Sequence, residues 1–176
     1  NAGESTIPDT VLFTGSNQHT YTYSSDFFVQ NISKTIFFIG GTSEPDSFPI
    51  INHTENNSYG FFQNAPVKFE RLIFIGSTPF DNGQGVKPLA FSKCVVRNYT
   101  SSFFAFAGDG RQNISFDNCL FVNNADTIFK LNFWSTDTRV AFINCTFDRN
   151  KGIFGGNNLV GVTNFVLRNN IFINNA

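Results

Sequence analysis

The residues that could do chemistry are few, and their spacing says more than their identity. Cys94, Cys119 and Cys145 recur at intervals of 25 and 26 residues. The chain has no C-x-x-C pair, and neither His19 nor His53 joins this series. Zinc sites gather closely spaced Cys and His ligands, so the series predicts a column of small apolar fillers rather than a metal centre. A disulfide between neighbours would leave one thiol over. Carbohydrate cleavage on an elongated scaffold needs clustered carboxylates, alone or with a calcium ion and a basic residue. Asp109, Asp126 and Asp137 share no position relative to the cysteines. Asp117 is matched by Ser92, Ile143 and Arg168, and Asp148 by Arg97, Val122 and Ile173, so no acidic ladder forms. No Ser/His/Asp or Cys/His arrangement is present. The expectation is a non-catalytic chain with no cofactor and no metal.

The elements that position these residues form a repeat. Phe91-Ser-Lys-Cys94-Val-Val96-Arg-Asn98 returns as Phe116-Asp-Asn118-Cys119-Leu-Phe121-Val-Asn123-Asn124 and as Phe142-Ile-Asn144-Cys145-Thr-Phe147-Asp-Arg-Asn150. Leu167-Arg-Asn169-Asn170-Ile-Phe172 and a degenerate Phe69-Glu-Arg-Leu72-Ile-Phe74 complete the set. The first residues step by 22, 25, 26 and 25 (69, 91, 116, 142, 167), which is the signature of a stacked-repeat architecture. Within a copy, Ile114 and Phe116 are two apart, and so are Cys119 and Phe121. Each pair shares one strand face. The three-residue step from Phe116 to Cys119 shifts the phase, so the chain must bend at Asp117-Asn118. Asn holds that bend in three copies of four; it tolerates a left-handed backbone and can bond to the same amide one level away. Phe104/Phe106 and Phe129/Leu131 supply a third strand. The expected fold is all-β: a right-handed parallel β-helix, a single-stranded solenoid of about six or seven rungs. A leucine-rich repeat is the competing fold; Arg111 and Asp137 stand where its leucine should, and Phe129–Phe133 alternates where helical spacing is expected.

Composition narrows the function classes. With 14% charged residues and a net charge of −1, no electrostatic case exists for binding nucleic acid or an anionic membrane. The 24 Phe residues are expected to fill the interior as ring-on-ring ladders. In Phe61-Phe62 and Phe103-Phe104, alternation would turn one ring of each pair outward. Six Asn-x-Ser/Thr sequons, at Asn31, Asn52, Asn56, Asn98, Asn113 and Asn144, are close to chance for this much Asn, Ser and Thr; Asn144 is expected at the internal corner, a poor glycan site. Residues 1–30 read as an irregular N-terminal section covering the first rung, and 31–176 as the rungs. Two Pro/Gly-rich stretches, 41–47 and 77–88, leave the rung pattern. Loops on a rigid scaffold are common recognition sites, so Pro45, Asp46, Asp81, Asn82 and Gln84 are the candidate partner-binding residues. A first residue other than Met and an uncapped last rung lead to the expectation of a piece of a longer chain.

The repeats resemble the passenger region of the chlamydial polymorphic membrane proteins, autotransporter-like surface proteins whose repeats carry a Phe-x-x-Asn tetrapeptide. That tetrapeptide occurs here as Phe28-Val-Gln-Asn31, Phe61-Phe-Gln-Asn64, Phe121-Val-Asn-Asn124, Phe129-Lys-Leu-Asn132, Phe147-Asp-Arg-Asn150 and Phe172-Ile-Asn-Asn175. The second family tetrapeptide, Gly-Gly-Ala-aliphatic, has only partial echoes in Gly155-Gly-Asn-Asn-Leu159 and Gly40-Gly-Thr42. The resemblance implies an adhesin displayed on the bacterial surface or secreted, with a membrane barrel outside this segment. It implies a host-cell surface protein or glycan as the partner. A polysaccharide-cleaving β-helix enzyme and a purely structural stalk are the alternatives.

Overall fold

The computed structural model describes residues 9–14, 18–23, 27–29, 34–54, 61–63, 65–80, 87–106, 113–131, 139–155 and 164–176. These residues form an all-β parallel solenoid. A first sheet stacks seven strands: β1 (Asp9–Phe13), β4 (Ile36–Gly40), β7 (Val67–Glu70), β9 (Leu89–Ser92), β12 (Asn113–Asp117), β15 (Arg139–Ile143) and β18 (Asn164–Arg168). A second stacks β2 (Thr20–Tyr23), β5 (Ile50–His53), β8 (Ile73–Gly76), β10 (Val95–Arg97), β13 (Leu120–Val122), β16 (Thr146–Asp148) and β19 (Ile171–Ile173). The third side carries β11 (Phe104–Phe106), β14 (Thr127–Leu131) and β17 (Gly152–Gly155), with β3 (Phe27–Val29) and β6 (Phe61–Gln63) as a separate pair. Four turns of regular spacing lead from β7 to β18. The section expected to be irregular supplies β1, β2 and β3, each in parallel register with the strand of the next rung. A single short 3₁₀ turn, Pro45–Ser47, is the only helix among the described residues, which removes the leucine-rich alternative.

Register follows the repeat. Phe38, Phe69, Phe91, Phe116 and Phe142 are direct partners in the first sheet. Their rings stack with centroid separations of 5.1, 5.1, 4.7 and 5.0 Å. The second sheet adds Phe121, Phe147 and Phe172 at 4.7 and 5.0 Å, and the third adds Phe104 on Phe129 at 4.9 Å. Rings from different sides meet edge to face, as Phe116 does with Phe121 and Phe129. The ladder spacing is that of neighbouring strands, so one residue type satisfies every level of the stack. Phe103 departs from the expectation: it and Phe104 are both buried. The strand starts at Phe104, and Phe103 sits in the preceding turn, where alternation does not apply.

Two corners produce the change of direction. At the first, Arg71, Lys93, Asn118, Asn144 and Asn169 have φ of 56, 54, 52, 55 and 55°. This is the bend that the three-residue step requires, and the next residue, Leu72, Cys94, Cys119 or Cys145, turns inward and is buried. At the second, Asn98, Asn123, Arg149 and Asn174 have φ of 55, 57, 53 and 51°. Behind that corner runs an interior asparagine ladder. Asn124 Nδ2 donates to Asn150 Oδ1 at 2.7 Å, and Asn150 Nδ2 donates to Asn175 Oδ1 at 3.0 Å. The same amides donate to the carbonyls of Val96, Phe121 and Phe147 at 3.1, 3.0 and 2.9 Å. The backbone of Tyr99, Asn124 and Asn150 donates in turn to the amide oxygen one rung on. Each inward Asn thus satisfies backbone groups that the corner takes out of the sheet ladder. Asn170 takes the equivalent place at the first corner, accepting from Cys145 N at 2.8 Å and donating to Phe142 O at 3.0 Å.

Candidate functional site

The excursion at 41–47 begins where β4 passes under the next rung. A Cβ on Gly40 would collide with the Arg71 carbonyl and press on the Pro49 ring, so this close approach needs glycine. Gly41 N donates to Phe13 O at 2.9 Å, and Thr42 Oγ1 accepts from Glu44 N at 3.2 Å. The 3₁₀ turn follows, its Pro45 fixing the first φ, with Ser47 N bonded to Glu44 O at 2.9 Å. The turn leads into Phe48, which is buried with Ile50 and Ile73 in a second, smaller apolar cluster. Ile51 and Phe74 face the interior, so Ile50 and Ile73 lie on the outer surface of the second sheet. Phe48 covers them. Gln18 fastens the turn from the side: its Nε2 donates to Asp46 O at 2.8 Å, and its Oε1 accepts from Arg97 at 3.0 Å. Pro45 and Asp46 themselves remain exposed on the rim. Phe48→Ala is expected to destabilise the chain by about 2–4 kcal/mol, with chemical denaturation as the check.

Asp81, Asn82 and Gln84 lie outside the described residues. What precedes them is tied to the core, although the stretch leaves the rung pattern. Phe80 is buried in the main core, stacks on Phe103 at 5.1 Å, and donates its N–H to Phe103 O at 2.7 Å. The stretch 77–88 is therefore anchored at its start by an aromatic plug.

The cysteine column is as the spacing predicts. Cys94, Cys119 and Cys145 are free, buried and consecutive in the stack. Each Sγ bonds the carbonyl two residues back, at 3.4, 3.4 and 3.3 Å. Burial, reinforced by the bonds to its two neighbours, pushes the Cys119 thiol well above its ordinary pKa. The bond with Cys119 draws the Cys145 thiol the other way, below its ordinary value, so it is enclosure that keeps the column from reagents. In the native protein none of the three should react with a water-soluble disulfide reagent, and all three should react after denaturation; absorbance of the released thiol reports both.

Asp126, which shares no repeat position with the other acids, is gathered with a backbone amide, a hydroxyl and an ammonium. It accepts from Thr127 N at 2.8 Å, Ser102 Oγ at 3.2 Å and Lys151 Nζ at 3.3 Å. Burial raises its pKa, but the bond from Thr127 and the bond and charge of Lys151 outweigh it, and the carboxyl sits below its usual range. A depressed carboxylate contributes stability above its unfolded pKa and loses it as pH falls through the folded value. Ser102 is buried, so the group joins three rungs rather than presenting a hydroxyl to a substrate. Asp117 takes part in an exposed ladder: Asn144 Nδ2 donates to Asp117 Oδ1 at 3.3 Å, and Asn169 Nδ2 to Asn144 Oδ1 at 3.2 Å. Asn144 is therefore on the outside of the corner rather than internal. Comparison of the chain with known protein families, curated proteins and solved structures gave no match.

Proposed function

We propose that this chain is a stretch of a surface-displayed, non-catalytic scaffold that binds a host-cell protein or glycan through elements carried outside its rungs. The observation that supports this reading most is the division of labour around Phe48. The aromatic ring anchors the 41–47 excursion to the outer face of the second sheet, while Pro45 and Asp46 stay exposed on its rim. An anchored loop with an exposed rim presents a fixed shape at little conformational cost on binding. The stretch around Asp81, Asn82 and Gln84, held at its start by Phe80, is the second proposed contact. The Phe-x-x-Asn resemblance adds export to the cell surface, by analogy.

The test is a cell-binding assay with beads coated with the chain. Pro45→Ala with Asp46→Ala, or deletion of 81–86 with Phe80 retained, should reduce binding to epithelial cells several-fold while leaving the melting temperature nearly unchanged. Binding no better than that of uncoated beads would reduce the protein to a stalk. Cleavage of a glycan panel, abolished by a single Asp→Asn change, would replace the reading with an enzyme.

A further inference from the structure

We infer that the outer face of the second sheet is a dimer interface, on which a second copy of this chain packs with its stack reversed. In each strand of that sheet one residue, such as Phe74, Val96, Phe121 or Phe147, is buried inside, so the residues before and after it point outward. One outward column runs Ile73, Val95, Leu120, Thr146 and Ile171. The other runs Arg97, Val122, Asp148 and Ile173, with Ile75 at the corresponding place in the rung before Arg97. Phe48 covers this face at Ile73. Further along it is apolar and open: Leu120 is 36% exposed, Ile171 56% and Ile173 45%, while Val95 and Val122 are half-buried. The open strip continues a contact that the chain already makes with itself, since Ile75 and Val95 pack against the Phe48 cluster.

The charges select the occupant. Arg97 and Asp148 stand one rung to either side of Val122 in the same column. A two-fold axis lying along β13, over Leu120 and Val122, sets each rung opposite the rung equally far on the other side. Arg97 then faces Asp148 of the second copy, and Asp148 faces its Arg97. Leu120 and Val122 meet themselves, Val95 meets Thr146, and Ile75 meets Ile173. The other two-fold arrangement, with the axis along the stack, would set Arg97 against Val95 and Asp148 against Thr146, leaving both charges unpaired in the contact. Both groups have bonding capacity to spare: among the described residues, Arg97 Nε and Asp148 Oδ1 are enclosed without a hydrogen-bond partner. Arg97 otherwise donates to the neutral amide of Gln18 at 3.0 Å, and Asp148 accepts from the exposed Arg149 at 3.0 Å. A carboxylate from the second copy is a stronger acceptor for the guanidinium than that amide. Five rungs, β8 to β19, overlap over a span of about 19 Å. A strip of that length and one short strand in width is at the low end of interface size, so the dimer is weak and concentration-dependent.

The test is sedimentation velocity of the chain from the low-micromolar to the sub-millimolar range. Monomer giving way to dimer is expected, with added salt shifting it back toward monomer. Arg97→Asp, or Asp148→Arg, sets like charges opposite each other at two places and should weaken association by more than about tenfold. The double variant restores opposite charges across the axis and should recover most of the loss. Within one copy the two groups are two rungs apart, so a role confined to the monomer would not be rescued in this way. Val122→Cys lies on the axis and should cross-link into a covalent dimer on mild oxidation, whereas Ser115→Cys on the first sheet should not. Unchanged far-ultraviolet circular dichroism checks that each variant is folded. A monomer at every concentration would overturn the inference. So would a dimer that tolerates both single reversals and fails to cross-link at Val122, because it would then form elsewhere, as at the exposed Phe165, Leu167 and Phe172 of the last rung.

Discussion

Replacing Phe116 by alanine is expected to lower stability by about 3–5 kcal/mol, the range for a buried Phe emptied to a cavity. The ring is fully buried at the centre of the stack, between Phe91 at 4.7 Å and Phe142 at 5.0 Å. It also meets Phe121, Phe129 and Phe104 edge to face at 5.1, 6.0 and 6.1 Å. Its loss therefore opens all three walls at one level. The rings above and below are held by their own rungs, so the cavity has little room to collapse. Guanidinium denaturation of the variant against the parent measures the difference, and a loss under about 1 kcal/mol would mean that this column faces solvent.

Asn150→Leu should cost about 3–4 kcal/mol, although it trades a polar group for an apolar one of similar size. The amide of Asn150 donates to Phe121 O and Asn175 Oδ1, and accepts from Asn124 N and Asn124 Nδ2. Leu replaces none of these bonds. A buried group left without its partner costs about 1–3 kcal/mol, and the Phe121 carbonyl and the Asn124 amide both lie inside. Higher apolarity at an interior position would ordinarily stabilise. A rise in melting temperature for Asn150→Leu would show that the ladder does not carry the corner.

The columns were legible because two periods coincide. Alternation places Ile114 with Phe116 and Cys119 with Phe121, and the odd step between the pairs forces the bend that Asn118 then makes. The second corner was hidden in plain view. Asn124, Asn150 and Asn175 each end a Phe-x-x-Asn tetrapeptide, which reads as a family signature until the structure shows the final Asn bonding backbone. The aromatic plugs were missed for a different reason. Stretches rich in Pro, Gly and polar residues suggest solvated connectors, and the weight of one aromatic is lost among them. The available signal was local: both plugs adjoin a proline, in Phe48-Pro49 and Pro79-Phe80. Asp126 escaped because its partners Ser102 and Lys151 lie 24 and 25 residues away, one rung to either side. The candidate contact residues divide accordingly, with Pro45 and Asp46 on an anchored rim and Asp81, Asn82 and Gln84 beyond the described residues.

The stacking itself is tested most directly by distances between spin labels on the outward residues of the first sheet. Lys68, Ala90, Ser115, Ala141 and Val166 are consecutive partners in register. Cysteines introduced at Lys68 and, in turn, at Ser115 and Val166 can be labelled while the native thiols stay enclosed; Ala141 is itself buried and is left unchanged. Each added rung should lengthen the distance by one strand spacing, about 4.8 Å, for a total of about 19 Å between Lys68 and Val166. Distances that fail to rise in equal steps, or that exceed this span several-fold, would contradict the stacked rungs.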